Sequence, residues 1–558
     1  MSRPVRVLAA ACVMTVAAAL AGCVAIPTSG PVTAGDGEVL EQDRVVVLAQ
    51  GPQADAGPTG IVEGFLLAAD AEVISDFDVT REFLAPSERS EWDPGAGTIV
   101  ASQRKVEQTG DAQVTVTLAV TAKVDGEGRY LESPAEAVET LRYELVQDAR
   151  GDWRIAHAPD VVVVSSQRFA QQFRETHLHF LTPDRTSFVQ EVRWFRDKNV
   201  PTAIVRALLA GPSPWLRDAV TSALPTGAQL KPEAVSVEQG VADFALEPAR
   251  SVLDTDRGLL LAQLEASLRP QGITGLHVRA GASGGVLEGV PAVLPTLEPA
   301  ELEILVDGRS FVVSGGTPTP VAGVGDVVGA SPSAPARSTD GEVRVALADA
   351  STLVTVPGDD GEQRTLLSGT DLAAPSVDRY GWVWTSRSSI AGRLDAVRPD
   401  GTAVEVSGDW LAGRAVQAVR VSRDGSRVAI VSSGSDGPTL DVAGVVRDAD
   451  GAPLTLGSSV RAGASLVPTD SLVWVDDVTL AVLAEGDAGP TPYLVPVAGT
   501  SEPLPAVVDA TDLVADRGER TLYVVTAAGD LLRYQGGTWV AVPGVTGVLE
   551  VDGAAFPG

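Results

Sequence analysis

The sequence predicts a multidomain protein in which two α+β domains precede an all-β propeller of about five or six blades. Helical periodicity is confined to residues 58–312, where it alternates with strand patterns. Beyond residue 342 the helical pattern stops, and short β runs recur with Asp-Gly turns between them. A length of 558 residues provides several ordinary cores, which the fold needs because cysteine cannot staple it.

The first residues read as a secretory signal, residues 1–22. Arg3 and Arg6 precede an apolar run from Val7 to Leu20, followed by small residues. The run is short of the roughly 20 apolar residues of a comfortable membrane span, and Pro27, Gly30 and Pro31 follow it. Leu20-Ala21-Gly22-Cys23 resembles the bacterial lipobox, in which the cysteine thiol accepts a diacylglyceryl group and becomes the N-terminus. Each buried acyl methylene contributes about 0.8 kcal/mol, so two or three chains anchor a protein effectively permanently. The expectation is a lipidated Cys23 on the extracellular face of the cell membrane. Cys12 leaves with the signal and an acylated Cys23 cannot pair, so neither a disulfide nor a cysteine metal site is expected.

Net charge is −31, and removal of the signal takes two arginines with it, which argues against nucleic acid or anionic lipid as a partner of the surface. Lysine is nearly absent while Ala, Gly and Val abound, as in proteins of GC-rich genomes.

Residues 23–57, rich in Pro, Gly, Ser and Thr, read as a tether. The first folded region spans 58–165. Ile61, Val62, Phe65, Leu66 and Ala69 follow Pro58 at helical spacing, and a second helix is predicted through Phe77, Phe83 and Leu84, ending at Pro86. Alternation at Val114, Val116, Leu118, Val120 and Ala122, then at Leu141, Tyr143 and Leu145, marks half-buried strands. Two helices on a curved antiparallel sheet resemble the NTF2-like cone. Residues 166–312 give the order strand, helix, two strands, helix, strand; the stretch from Val192 to Leu230, with its Gly211-Pro212-Ser213-Pro214-Trp215-Leu216 turn, and the Gln239-Gly240 hairpin are similar to a GerMN domain. Residues 313–341, dominated by Gly, Pro, Ser, Thr and Ala, are expected to form a linker. The propeller is placed at 342–558, with turns at Asp400-Gly401, Asp424-Gly425 and Asp450-Gly451.

The lipobox followed by IPTSGPV, the segment IVEGFLLAADAEVISDFDVTREFLAPSERSEWDPGAG, the GPSPWL turn and the irregular β-repeats together resemble one family along nearly the whole chain: the actinobacterial LpqB lipoproteins. The resemblance implies a non-enzymatic accessory protein that modulates a sensor histidine kinase through its extracytoplasmic domain, in envelope and cell-division homeostasis. It carries only Cys23 over as a functional residue. Capture of a small molecule or cell-wall fragment, in the cone or the propeller funnel, is the alternative.

Other motifs carry less. Gly281-Ala282-Ser283-Gly284-Gly285 matches the G-x-S-x-G nucleophile elbow, but Gly289, Pro291 and Pro295 follow where a helix must support the oxyanion. His177 and His179 would share one face of a strand, yet two ligands are not a metal site. Asp448-Ala449-Asp450-Gly451 begins like a calcium loop but has Pro453 and Ser459 where the EF-hand needs Gly and Glu, so a hairpin turn is expected. Trp382, Trp384, Trp474 and Trp539 sit in strand-like runs and read as blade packing, with glycan stacking as the other use. No catalytic residue, cofactor or metal is assigned.

Overall fold

The helix expected behind Pro58 forms as α1, Pro58–Ala71, with proline in its first turn and Ile61, Val62, Phe65 and Leu66 buried on one face. In this computed structural model the described residues are 49–295, 300–358, 361–486 and 489–557; the signal, Cys23 and the tether up to residue 48 lie outside them. The predicted second helix is interrupted. Phe77 adopts φ 60°, so α2 covers only Asp78–Glu82 and α3, Glu88–Glu91, follows Pro86. The Glu72 carboxylate caps α2 by accepting the amides of Val79 and Thr80 at 3.1 and 2.7 Å.

Six strands complete this module: β1 Gly97–Gly110, β2 Gln113–Asp125, β3 Tyr130–Glu132, β4 Val138–Gln147, β5 Trp153–His157 and β6 Val162–Ser165. They run in the order β5-β4-β2-β1-β6, with β3 off the edge of β2. The period-2 pattern read from β2 is the observed one: Val114, Val116, Leu118, Val120 and Ala122 are buried. The concave side is filled, because Phe65 packs edge-to-face on Trp92 and Tyr143 at centroid distances of 5.2 and 5.9 Å.

The second module begins with α4, Ser166–Gln172, capped by Ser165 Oγ accepting the Arg168 amide. A hairpin of β7 Phe173–Leu181 and β8 Phe188–Arg196 stands where a single strand was expected. Then come α5 Val200–Ala210, β9 Gln229–Glu238, β10 Val241–Glu247, α6 Ala249–Leu253, α7 Arg257–Leu268 and β11 Gly275–Ala280. β10 pairs antiparallel with β9 and parallel with β11, the crossover being made by the two helices.

The stretch 313–341, expected as a linker, contains β strands that belong to the propeller. Arg309–Ser314, Thr317–Pro320 and Ser333–Arg337 are strands, and Leu302–Val306, inside the expected second domain, belongs with them. Turn-rich composition misled here because the strands in this stretch are only four to six residues long and their pairing needs little apolar alternation. Among the described residues six four-stranded sheets result, and the first is completed by the strand Gly553–Ala555. The innermost strands, Gly553–Ala555, Ser333–Arg337, Ser376–Val377, Ala415–Val421, Pro468–Trp474 and Ala510–Val514, each touch the next, and the last touches the first. The ring is a closed six-bladed propeller, the upper of the two blade counts expected.

The Asp-Gly turns fall where the sequence placed them. Asp400 Oδ1 accepts the Thr402 amide at 2.8 Å, Asp424 Oδ1 that of Ser426 at 2.7 Å, and Asp448 Oδ1 those of Asp450 and Ala452 at 2.9 and 2.8 Å.

Closure joins the two ends of the propeller. Leu302–Val306 pairs antiparallel with Gly553–Ala555, Asp552 donates its amide to the Leu305 carbonyl at 2.9 Å, and Phe556 is buried beside them. Phe556→Ala is expected to cost roughly 3–5 kcal/mol in urea denaturation. Removal of residues 553–558 is expected to broaden the transition and open the region around residue 302 to protease, since the Leu302–Val306 edge then lacks its partner.

Candidate functional site: the junction of three modules

The two α+β modules and the propeller meet along β3, β8, the Gly211–Leu216 turn and the blades of 415–503. The turn is the centre of this contact. Trp215 packs against both the second module's core and that of the blade formed by residues 415–462. The Gly444 amide donates to the Trp215 carbonyl at 3.0 Å, at a bulge in the strand Gly437–Arg447. A side chain on Gly444 would place its Cβ 2.7 Å from Ala219 Cβ and 2.9 Å from the Trp215 oxygen, so only glycine admits the turn.

Beneath it lies a buried polar network. Arg193, with no exposed side-chain surface, pairs with Glu191 at 2.6 Å and donates to the Glu127 carbonyl at 2.9 Å. Glu191 accepts the Ser213 amide at 3.0 Å and the Ser213 hydroxyl, while Arg129 Nε donates to Ser213 Oγ at 3.1 Å. Both buried charges are thus paired and hydrogen-bonded, the condition under which such groups are tolerated in a low-dielectric interior.

Further contacts tie the modules to individual blades. Tyr130 OH lies 2.8 Å from Thr500 Oγ1, Trp194 Nε1 donates to the Ala498 carbonyl at 2.7 Å, and Glu132 accepts Ser501 Oγ at 2.9 Å. Arg379, from the loop after Ser376–Val377, reaches Asp184 at 2.9 Å across the β7–β8 loop. Arg427 pairs with Asp424, lies 5.3 Å from the centre of the Trp474 ring, and donates to the Gln190 carbonyl at 3.1 Å. Residue spacing carries no signal for these contacts, whose members are separated by up to 370 positions.

The motifs picked out in the sequence do not assemble there. Cys23 lies outside the described residues. Residues 281–285 form a tight reversal, not an elbow: Val286 bridges back to Arg279, and a Cβ on Gly284 would stand 2.0 Å from the Ala280 oxygen. His177 and His179 do share the half-exposed face of β7. His177 contacts Glu175 at 3.1 Å and Gln190 at 2.9 Å, and chiefly the Glu175 hydrogen bond raises its pKa. His179 sits against Ser267 and Phe188, and burial pushes its pKa down to about 4. Among the described residues no group of three His, Cys, Asp or Glu is placed to hold a metal. Asp448–Gly451 is a hairpin turn whose glycine packs on Tyr380. Trp382, Trp384 and Trp474 are buried in blade packing, with Trp384 Nε1 donating to Asp378 and Trp474 Nε1 to the Arg420 carbonyl; Trp539 is half-buried and donates to Pro505.

Two α+β modules keyed into a six-bladed propeller define a class of multimodule propeller proteins, and the comparisons with known proteins agree. The family model "Lipoprotein LpqB, N-terminal domain" matches residues 51–170, "Sporulation and spore germination" residues 177–277, and "Lipoprotein LpqB beta-propeller domain" residues 306–549. The chain belongs to the LpqB lipoprotein family. Relatives named Lipoprotein LpqB include one from Thermobifida fusca (strain YX), 27% identical over 89% of this chain and 90% of its own. One from Bifidobacterium longum (strain NCC 2705) is 28% identical over 81% of each chain, and one from Cutibacterium acnes (strain DSM 16379 / KPA171202) 25% identical over 96% of each.

Two outcomes test the junction. Gly444→Val is expected to expel the Trp215 turn, seen as a red shift of tryptophan emission and new proteolysis within residues 211–219, with the propeller itself still folded. For His179, the unfolded chain takes up a proton near the ordinary value of 6.5 and the folded chain only near 4, so stability falls as pH falls through that window. Urea denaturation of His179→Gln between pH 4 and 6.5 is expected to give a shallower pH slope than the parent.

Proposed function

We propose that this chain is a lipid-anchored extracytoplasmic protein that works by binding, and that it modulates a membrane sensor histidine kinase by contacting the kinase's external domain. The anchor reading is supported by the Leu20-Ala21-Gly22-Cys23 tetrad behind a charged and apolar leader, and by the relatives' name, Lipoprotein LpqB. No helix among the described residues is long and apolar enough to cross a membrane. The kinase as partner rests on the family resemblance.

The observation that carries a binding role is the architecture. Between the propeller's inner strands lie a space of about 40 Å³ lined by Trp474, Arg420 and Phe556 and another of about 360 Å³ lined by Ser333, Thr511, Asp512 and Gly553, while the cone of the first module is filled by Phe65, Trp92 and Tyr143. As packed among the described residues, the cone does not offer the ligand pocket that small-molecule capture there would require. The propeller presents a set of outer loops held at fixed positions by closed blades, a construction suited to recognising a protein surface. Tethering to the bilayer that also holds the kinase raises the effective concentration, so a weak contact is occupied. A non-catalytic role agrees with this reading.

Cross-linking in intact cells tests it, comparing the native chain with Cys23→Ser. A kinase cross-link that weakens when the anchor is lost is the expected result, together with an acyl mass on Cys23 in the native protein. A cross-linked set without any kinase would overturn the partner; an unacylated Cys23 would overturn the anchor.

A further inference from the structure

Where the second module meets the propeller, the Gln190 side chain on β8 is held at both ends. Its Oε1 lies 2.9 Å from His177 Nδ1 on β7, and its Nε2 donates at 2.9 Å to Asp477 Oδ2, in the turn after the inner strand Pro468–Trp474. The other ring nitrogen of His177, Nε2, lies 3.1 Å from Glu175 Oε1. Glu175, His177, Gln190 and Asp477 therefore form one hydrogen-bonded line from the second module into a blade. Arg427 donates to the carbonyls of both Gln190 and Asp477, which fixes the backbone on either side of the amide.

The donors in this line fix its protonation. A carboxylate only accepts, whereas a primary amide donates from its nitrogen and accepts at its oxygen. Asp477 takes the amide nitrogen, so the amide oxygen faces Nδ1, which must carry a proton to bond it. Glu175 requires a proton on Nε2 in the same way, and a ring with both protons is the imidazolium. A neutral ring protonated on Nδ1 turns a lone pair toward Glu175. One protonated on Nε2 needs the amide turned over, and the amide oxygen then faces Asp477. In each neutral state two acceptors meet, because both ends of the line are carboxylates.

The surrounding charges bear on where that proton sits. Glu175 and His179 on β7 and Asp476 and Asp477 on the turn face the ring, while Asp424, Arg427 and Arg517 stand behind Asp477. Helix α7, packed on β7, meets His179 through Ser267 at 3.4 Å. The Glu175 hydrogen bond does most to raise the His177 pKa, with burial opposing. Burial also raises the pKa of Asp477 against the attraction of Arg427, so that carboxyl is the second place on the line able to hold the proton.

We propose that this line is a pH-sensitive latch between the second module and the propeller, closed while it holds the shared proton and broken at one hydrogen bond once that proton leaves. The pKa of His177 is held above the ordinary 6.5, so the stabilisation is complete below 6.5 and is lost as pH rises through the folded value. His179 works in the opposite sense, since its buried ring is neutral, and the two histidines bound the stable pH window from above and below. The latch concerns the contact between modules and is separate from the anchor and from the kinase reading.

NMR titration of the intact mature chain in detergent, labelled isotopically at its histidine rings, tests the latch. The histidines are His157, His177, His179 and His277, so single substitutions to glutamine assign the signals. His177 is expected to titrate above 6.5. Over the same pH range the hydrogen-exchange protection of the amides of residues 477–479 is expected to fall by roughly three- to tenfold, the worth of one hydrogen bond. Asp477→Asn supplies a donor at the far end and lets a neutral ring satisfy the line, so it is expected to lower the His177 titration and flatten the exchange step. In a Gln190→Met background the same substitution is expected to shift His177 clearly less. A His177 titration at or below 6.5, exchange that does not follow it, or an Asp477→Asn shift of equal size with and without Gln190 overturns the latch. The parent titration and its exchange profile need no substituted chain to fold.

Discussion

The pairing of Gly553–Ala555 with Leu302–Val306 is the contact on which the architecture depends. A propeller blade buries its faces only against the blades on either side, so an open ring would leave two such faces and two strand edges in water. Closure here is made by three residues at the end of the chain, reinforced by the Asp552 amide on Leu305 and the burial of Phe556. Arg423 Nε also donates to the Pro557 carbonyl at 3.3 Å, tying the same end to the middle of the ring. Residues more than two hundred positions apart are therefore one sheet, and the propeller can complete itself only when its last residues are present.

A closed ring in turn fixes the outer strands against which the α+β modules lie. The Gly211–Leu216 turn enters one blade at a bulge where Gly444 has no side chain, and the Glu191–Arg193 pair fixes the strand from which that turn is held. Polar groups at this depth do not increase stability over an apolar core; their geometry selects one arrangement of the modules over others, because any displacement leaves a buried charge unpaired.

Local chemistry was legible wherever a residue's role is set by its neighbours in the chain. The alternation in Gln113–Asp125, the helix behind Pro58, the Asp-Gly hairpins at 400, 424 and 450 and the failure of the nucleophile elbow at Ser283 were all readable, since each is decided within about ten residues. The interruption at Phe77 and the strands within 313–341 were not. Phe77 takes a left-handed conformation with its ring buried against Trp92, and the strands of that segment are short hairpins whose Gly-, Pro-, Ser- and Thr-rich runs carry no alternation to mark them.

The sequence by itself determined the acidic composition, the order of two α+β modules before a propeller, and the family to which these point, because charge, periodicity and turn chemistry are local properties. Only the tertiary structure decided the number of blades, the closure by the last strand, the keying of the GPSPWL turn into Gly444 and the network around Arg193. Each of these depends on which surfaces meet across hundreds of residues, a choice made by packing and by the pairing of buried charge, and no stretch of chain carries it alone.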